Sequence, residues 1–242
     1  MPASTCGFNI PKVALVMAKL IVDGEDRGSR LFIVPICNKE EMYVGVRSTR
    51  LPSRSGTTPL DFSITSFDNV HLPFTALLAD DPFDWTKPTN LLEAWWDQVW
   101  RIQLGTMTVP GPAIAGTKAA AYIGGKYSLH RTILGKGTQP NPIINFRTQQ
   151  WPILQGVATA HVIDNWFRPA VTAALAETDH RVRHALSVII KATTCRHAQR
   201  TVPAIAERCG AQGTFEHNYM ARAEVSNHNQ FVYYPLTRFD TE

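Results

Sequence analysis

The hydrophobic pattern of this 242-residue chain changes period after its first third, and that change limits the folds open to it. Before Pro82 the apolar residues come in short runs separated by turn chemistry. Residues 12–22 read KVALVMAKLIV, apolar on both alternating faces, as in a well-buried strand. A polar turn with two glycines, Asp23 to Gly28, leads into Leu31-Phe32-Ile33-Val34-Pro35-Ile36. The pair predicts a hairpin with a longer loop. Met42 to Val46 is a third strand candidate, and Arg50 to Pro59 is loop chemistry throughout. Asp61 to Asp68 alternates, with Phe62 and Ile64 on one face of a half-buried strand. These runs predict a small antiparallel β unit.

Pro82 to Asn90 reads as a linker, and from Leu91 the spacing becomes helical. Ala94, Trp95, Val99 and Ile102 recur at three-to-four-residue steps, with Trp95, Trp96 and Trp100 assigned to packing. Val109-Pro110-Gly111-Pro112 must break or kink this helix. Ala113 to His130 resumes it. Residues 144–176 predict a long helix with Ile153, Val157, His161, Asp164 and Phe167 along one stripe, His161 being an interior histidine. Thr178-Asp179 has N-cap chemistry. The run beyond it, to Arg208, places Val182, Leu186, Ile189, Ile190 and Thr193 on one side. Arg181, Arg183, His184, Lys191, Arg196, His197 and Arg200 form a solvated face. The fold class is α+β: residues 1–80 as a β domain, then 81–242 as an α-helical bundle.

Composition removes several function classes. Apolar content of 44% and charge of 18% fit a globular protein. The net charge of +4 comes without a dense basic block, which argues against nucleic acid and is compatible with an anionic small molecule. Cys6, Cys37, Cys195 and Cys209 form no C-x-x-C pair, so reduced thiols and no metal site are expected. No apolar run reaches the length of a membrane span. The start shows no secretory pattern, and the final Phe239-Asp240-Thr241-Glu242 is not a peroxisomal Ser-Lys-Leu signal. An intracellular location, peroxisomal or cytoplasmic, is expected.

The stretch from His130 to Leu154, HRTILGKGTQPNPIINFRTQQWPIL, concentrates the chemistry. A basic residue closes one helix, a Gly/Pro-rich loop follows, and Phe146, Arg147, Gln149 and Gln150 open the next. Guanidinium and amide donors at a helix start, beside free backbone N–H groups and the positive end of the helix dipole, suit a diphosphate. The alternative is an ordinary inter-helix loop. Gly210 and Gly213, in Arg208-Cys209-Gly210-Ala211-Gln212-Gly213, read as C-terminal turn glycines with positive φ.

Several of these segments together resemble the acyl-CoA oxidase and acyl-CoA dehydrogenase family. Ala18-Lys19-Leu20-Ile21, the Gly24–Gly28 turn, Phe32 to Ile36 and Phe67-Asp68-Asn69-Val70-His71-Leu72-Pro73 are similar, in order, to its middle β domain. Tyr127-Ser128-Leu129-His130-Arg131 resembles its R-Y-S-x-x-R segment, with Lys126 for the first Arg. Phe146-Arg147-Thr148-Gln149-Gln150 resembles its Phe-Gln-x-Gln-Gln run, with Arg147 for the first Gln. Cys209 to Gly213 resembles its C-G-G-x-G turn, with Ala211 for the middle Gly. The oxidase branch is the better match.

The resemblance implies a partial middle barrel followed by the helical domain, FAD as cofactor, and α,β-dehydrogenation of an acyl-CoA thioester of a fatty acid or secondary metabolite. It implies Arg131, Phe146, Gln149, Gln150, Gly210 and Gly213 as cofactor residues. It also implies a site built between subunits, hence a homodimer or pairing with a full-length paralogue. The family's N-terminal helical domain has no counterpart here, since eleven residues precede Lys12. The family's catalytic Glu-Gly segment falls where this chain reads Asn229 to Leu236, without an acid, which leaves Glu224 as a weak candidate base. The alternative function is therefore a truncated, non-catalytic relative that acts through a partner.

Overall fold

The computed structural model describes residues 6, 9–52, 62–134, 139–215 and 217–224. The fold is α+β, and the chain divides into two compact units, Met1–Arg101 and Ile102–Glu242. The first long helix begins in one unit and ends in the other.

In the first unit, β1 (Lys12–Val22) and β2 (Glu25–Cys37) form an antiparallel hairpin. Its loop is shorter than the sequence suggests. Val22 stands opposite Glu25, so Asp23 and Gly24 alone make the turn, with φ of 53° and 78°. Positive φ at both positions is the primed geometry whose twist matches the strands. The second glycine, Gly28 (φ 90°), belongs to the irregular pairing where the register shifts between Lys19 and Ile21. Its N–H donates to Asp26 Oδ1 at 2.8 Å.

β3 (Val46–Arg50) pairs with β4 (Ser63–Phe67). The sequence predicts the third strand at Met42–Val46, and the strand instead starts where that run ends. Met42 makes only an isolated bridge to Cys37, and Val46 N–H donates to Tyr43 O at 3.0 Å in a turn. Gly45 (φ 82°) carries this turn, because a Cβ there would overlap the Asp68 carbonyl. Ile36, Cys37 and Val46 are buried together, with Ala14, Met42 and Val70 against them. Much of the expected loop, residues 53–59, lies outside the described residues.

Beyond the linker run α1 (Leu91–Thr108) and α2 (Pro110–His130). The break falls at Val109, as the proline pair requires. A short hairpin, β5 (Thr132–Leu134) with β6 (Pro140–Pro142), occupies what the sequence presents as loop; Gly135 and Gly137 lie outside the described residues. α3 (Arg147–Ala176) and α4 (His180–Ala206) follow. Asp179 caps α4, accepting from Arg181 N–H at 2.8 Å.

The helical core follows the expected stripes only in part. On α3 the buried positions are Ile153, Gly156, Ala160, Ile163 and Ala174, with Phe167 packed on the core, while Val157 is exposed and His161 is exposed rather than interior, lining an open groove of about 360 Å³ with Lys118 and Tyr122. On α4, Val182 and Ile189 are exposed, and the inner face is Ser187, Ile190, Thr194, Cys195, Ala198, Val202 and Ile205. Lys191 is on that buried side and not on a solvated face; desolvation pushes its ammonium pKa below the ordinary lysine value. Burial likewise pushes the Cys195 thiol up.

The physical reason is close approach. Small residues let backbones meet, so the contact face follows Gly, Ala and Ser rather than the bulkiest side chains. Gly124 on α2 and Gly156 on α3 both rest on Ile205 of α4, where a Cβ on either would collide. Overpacking of this kind costs on the order of 1–3 kcal/mol. The two glycines meet different atoms: Gly124 meets Ile205 Cγ2, and Gly156 meets Ile205 Cδ1. Gly124→Ala and Gly156→Ala should each lower stability in urea unfolding by about that amount. Adding Ile205→Val, which deletes Cδ1 and keeps a γ-methyl, should restore part of the loss for Gly156→Ala and little for Gly124→Ala. Equal rescue of both would contradict this packing.

Candidate functional site

α2 ends at Arg131, whose extended backbone (φ −73°, ψ 121°) leaves the helix while its N–H still donates to Tyr127 O at 2.8 Å. The β5–β6 hairpin then returns the chain, and Ile143 N–H donates to Arg131 O at 2.9 Å. A single 3-10 turn, Ile143–Asn145, delivers Phe146 to the start of α3. Phe146 is extended (φ −86°, ψ 130°), offers no side-chain cap, and its carbonyl accepts from the N–H groups of Gln149 and Gln150 at 2.9 and 3.0 Å. Arg131 and Phe146 are exposed; Gln149 and Gln150 are half-buried.

Gln149 joins this junction to the glycine turn. Its Nε2 donates to Ser128 Oγ at 2.8 Å and to the Arg208 carbonyl at 2.7 Å, across 59 residues of sequence. Ser128 is fully buried, and its hydroxyl donates to Gly124 O at 2.7 Å. That donation leaves Ser128 Oγ as an acceptor, and a carbonyl can only accept, so both partners require the NH₂ end of the amide. The sequence names Ser128 only within the R-Y-S-x-x-R resemblance, not as a partner of Gln149, and does not point to the Arg208 carbonyl at all. The available signal was a hydroxyl four residues after Gly124 inside a helix, the spacing of a bond back to the helix carbonyl.

After Ala206 the chain tightens into 3-10 turns over Glu207–Thr214, interrupted at Gly210 with φ 58° and ψ −142°. That combination is almost confined to glycine. Nothing lies within 4 Å of where a Gly210 Cβ would stand, so its bare backbone faces open space. Gly213 is buried, and a Cβ there would overlap the Ala206 carbonyl. Of the two glycines, Gly210 has the positive φ expected from the sequence; Gly213 is required by close approach instead. Cys209 between them and α4 is buried, and desolvation pushes its thiol pKa up, so it stays protonated near neutrality.

The structure thus brings Arg131, Phe146, Gln149 and the Gly210 turn into one hydrogen-bonded neighbourhood, with Gln150 one step along α3. Glu224 is exposed at the end of the helical turn 219–224, whose Met220 and Ala223 pack with Cys209. Glu216, Asp240 and Glu242 lie outside the described residues. Among the described residues, no group of His, Cys, Asp and Glu is placed to hold a metal ion, and no helix is long and apolar enough to cross a membrane.

No family model matches the chain. Peroxisomal acyl-coenzyme A oxidase 1 of Pongo abelii is 26% identical over 223 residues, covering 83% of this chain and 32% of that protein. An acyl-CoA oxidase from Lycopersicon esculentum superposes with a TM-score of 0.73 at 20% identity, over 94% of this chain and 37% of the other. The fold is that of the acyl-CoA oxidases. Acyl-CoA dehydrogenases share it too. Acyl-CoA oxidase-1 of Caenorhabditis elegans, solved with FAD and ATP, gives a TM-score of 0.71 at 18% identity, over 90% of this chain and 34% of its own. The chain spans about a third of the length of the curated oxidases it matches.

The Cys209–Gly213 turn is open to a direct backbone test. Gly210→Ala should cost about 1–3 kcal/mol, the usual range for forcing a side chain into this region of φ and ψ. Since no neighbour would be struck, Gly210→Asn should cost no more than Ala. Thermal or urea unfolding checks both; a neutral Gly210→Ala would contradict the backbone conformation.

Proposed function

We propose that this chain provides the cofactor-facing helical surface of a flavin-dependent acyl-CoA oxidase or dehydrogenase, acting in α,β-dehydrogenation of an acyl-CoA thioester. The observation that carries the reading is Gly210: glycine-only backbone, exposed, with open space at its Cβ position, in a turn tied to the α2–α3 junction. A bare backbone of this kind suits the flat, close approach of a large cofactor. The donor chemistry also fits FAD. An exposed guanidinium at Arg131 and an uncapped α3 start suit a diphosphate, and the exposed Phe146 ring suits an aromatic face.

In this reading Arg131 and the Phe146–Gln150 turn bind and orient the diphosphate region, while Gly210 keeps a side chain out of the approach and Gly213 lets the turn pack against the Ala206 carbonyl. FAD, when bound, supplies the hydride acceptor. The acyl-CoA substrate, of a fatty acid or a secondary metabolite, and a peroxisomal or cytoplasmic location rest on the similarity to the oxidases. So does assembly as a homodimer or with a full-length paralogue.

A second reading has its own observation. Removing a proton α to a thioester needs a carboxylate in a water-poor site. Glu224 is exposed, and residues 229–236 contain no acid. A non-catalytic relative that completes its site with a partner accounts for both.

Mixing the FAD-loaded chain with palmitoyl-CoA under anaerobic conditions separates the readings. Turnover predicts bleaching of the flavin band, followed on admission of air by hydrogen peroxide for an oxidase and not for a dehydrogenase, and unaffected by Glu224→Gln if the base comes from elsewhere. Arg131→Ala should weaken FAD binding about tenfold, roughly 1.4 kcal/mol. Flavin that binds and never bleaches sinks the catalytic reading and leaves the partner-dependent one.

A further inference from the structure

We infer that Gln149 is a positioning residue, a tie that sets the Cys209–Gly213 turn against the end of α2, rather than a group that touches the cofactor through its NH₂. This rests on the proposed cofactor reading for its functional meaning, and on hydrogen bonds alone for its geometry. Both amide protons of Gln149 are directed at protein acceptors, Ser128 Oγ and Arg208 O. The relay continues from Ser128 Oγ to Gly124 O, at the point where Gly124 rests on Ile205. One side chain of α3 therefore touches the last turn of α2 and the first residues after α4.

The turn needs such a tie. Gly210 departs from helical geometry and has no neighbour around its Cβ position, so packing on that side contributes nothing to holding it. The carbonyl two residues earlier, Arg208 O, is fixed from the side by Gln149. Without that bond, the Arg208 carbonyl loses its side-chain donor at the entry to the glycine turn. A half-buried acceptor stripped of its donor costs more than the net worth of the bond. The loss would appear first as local opening of the weakest segment. Among the described residues the Gln150 side chain makes no such bond, and it joins the exposed Arg131, Phe146 and Arg147 as the side chains left for a ligand at this junction.

Hydrogen exchange on the cofactor-free chain tests this without any assumption about FAD. Gln149→Glu preserves shape and removes both donors. Gln149→Met removes all polarity. Gln149→Lys keeps N–H donors at similar reach. The tie predicts that amides in Glu207–Thr214 exchange about tenfold faster in the Glu and Met variants, while α2 and α3 change by less than about twofold. The Lys variant should recover most of the protection. Ser128→Ala, which spares the Arg208 bond, should disturb the C-terminal turn of α2 more than Glu207–Thr214. Wild-type exchange over Glu207–Thr214 in the Glu variant would overturn the proposal, as would equal loosening of every helix, or a Lys variant no better than Met. If the wild-type chain binds no FAD, the cofactor reading fails and this exchange result still stands or falls by itself.

Discussion

A single amide group sets the geometry of the helical unit's junction. Gln149 reaches one buried hydroxyl and one backbone carbonyl, and those two acceptors belong to segments that sequence separates widely. Each bond is worth only about 1 kcal/mol net. Their importance lies in what they connect: the end of α2, the start of α3 and the turn that follows α4. Every residue offered to a cofactor lies within a few positions of one of these ends. The relay from Gln149 through Ser128 to Gly124 also couples the junction to the helix contact where Ile205 fills the space left by two glycines.

That contact explains the character of the bundle. Its inner faces are lined by Gly124, Gly156, Ala120, Ala160, Ala198 and Ser187, with Ile205 and Val202 as the larger pieces between them. Such faces leave bulky residues outside. Trp151, Leu154, Val162 and Ile189 are exposed, while Lys191 is carried into the interior with its pKa lowered. In the β unit the equivalent constraint is a set of turns with positive φ, at Asp23-Gly24 and Gly45, which fix where strands start and stop.

The sequence disclosed architecture better than faces. The strand-to-helix change, the proline break at Val109, the Asp179 cap and the family-like order of motifs were all legible, because each depends on local chemistry. The hairpin loop was read as too long because Gly28 looked like a turn glycine, when it serves an irregular strand pairing. The third strand was misplaced because Met42-Tyr43-Val44 is β-rich, yet Gly45 forces a turn there. The α3 and α4 stripes hold in part, with Ile153 and Ile190 buried and Phe167 and Leu186 packed on the core, while Val157, Val182 and Ile189 are exposed because hydrophobicity marks large residues and close helix packing selects small ones. His161 and Lys191 changed places on that account. At the junction, Arg131, Phe146, Gln149, Gln150, Gly210 and Gly213 were all named from their resemblance to the oxidases. Their connection through Ser128 and the Arg208 carbonyl was not, since a backbone acceptor has no sequence signature.

The proposed function depends on this junction receiving a flavin nucleotide. The visible spectrum of the purified chain, taken after incubation with FAD and removal of free cofactor, tests it most directly. A retained flavin band with resolved structure or a shifted maximum, at a stoichiometry that tracks folded protein, is the predicted result. A folded sample at micromolar concentration that retains no flavin, alone and when mixed with a full-length acyl-CoA oxidase, would contradict it.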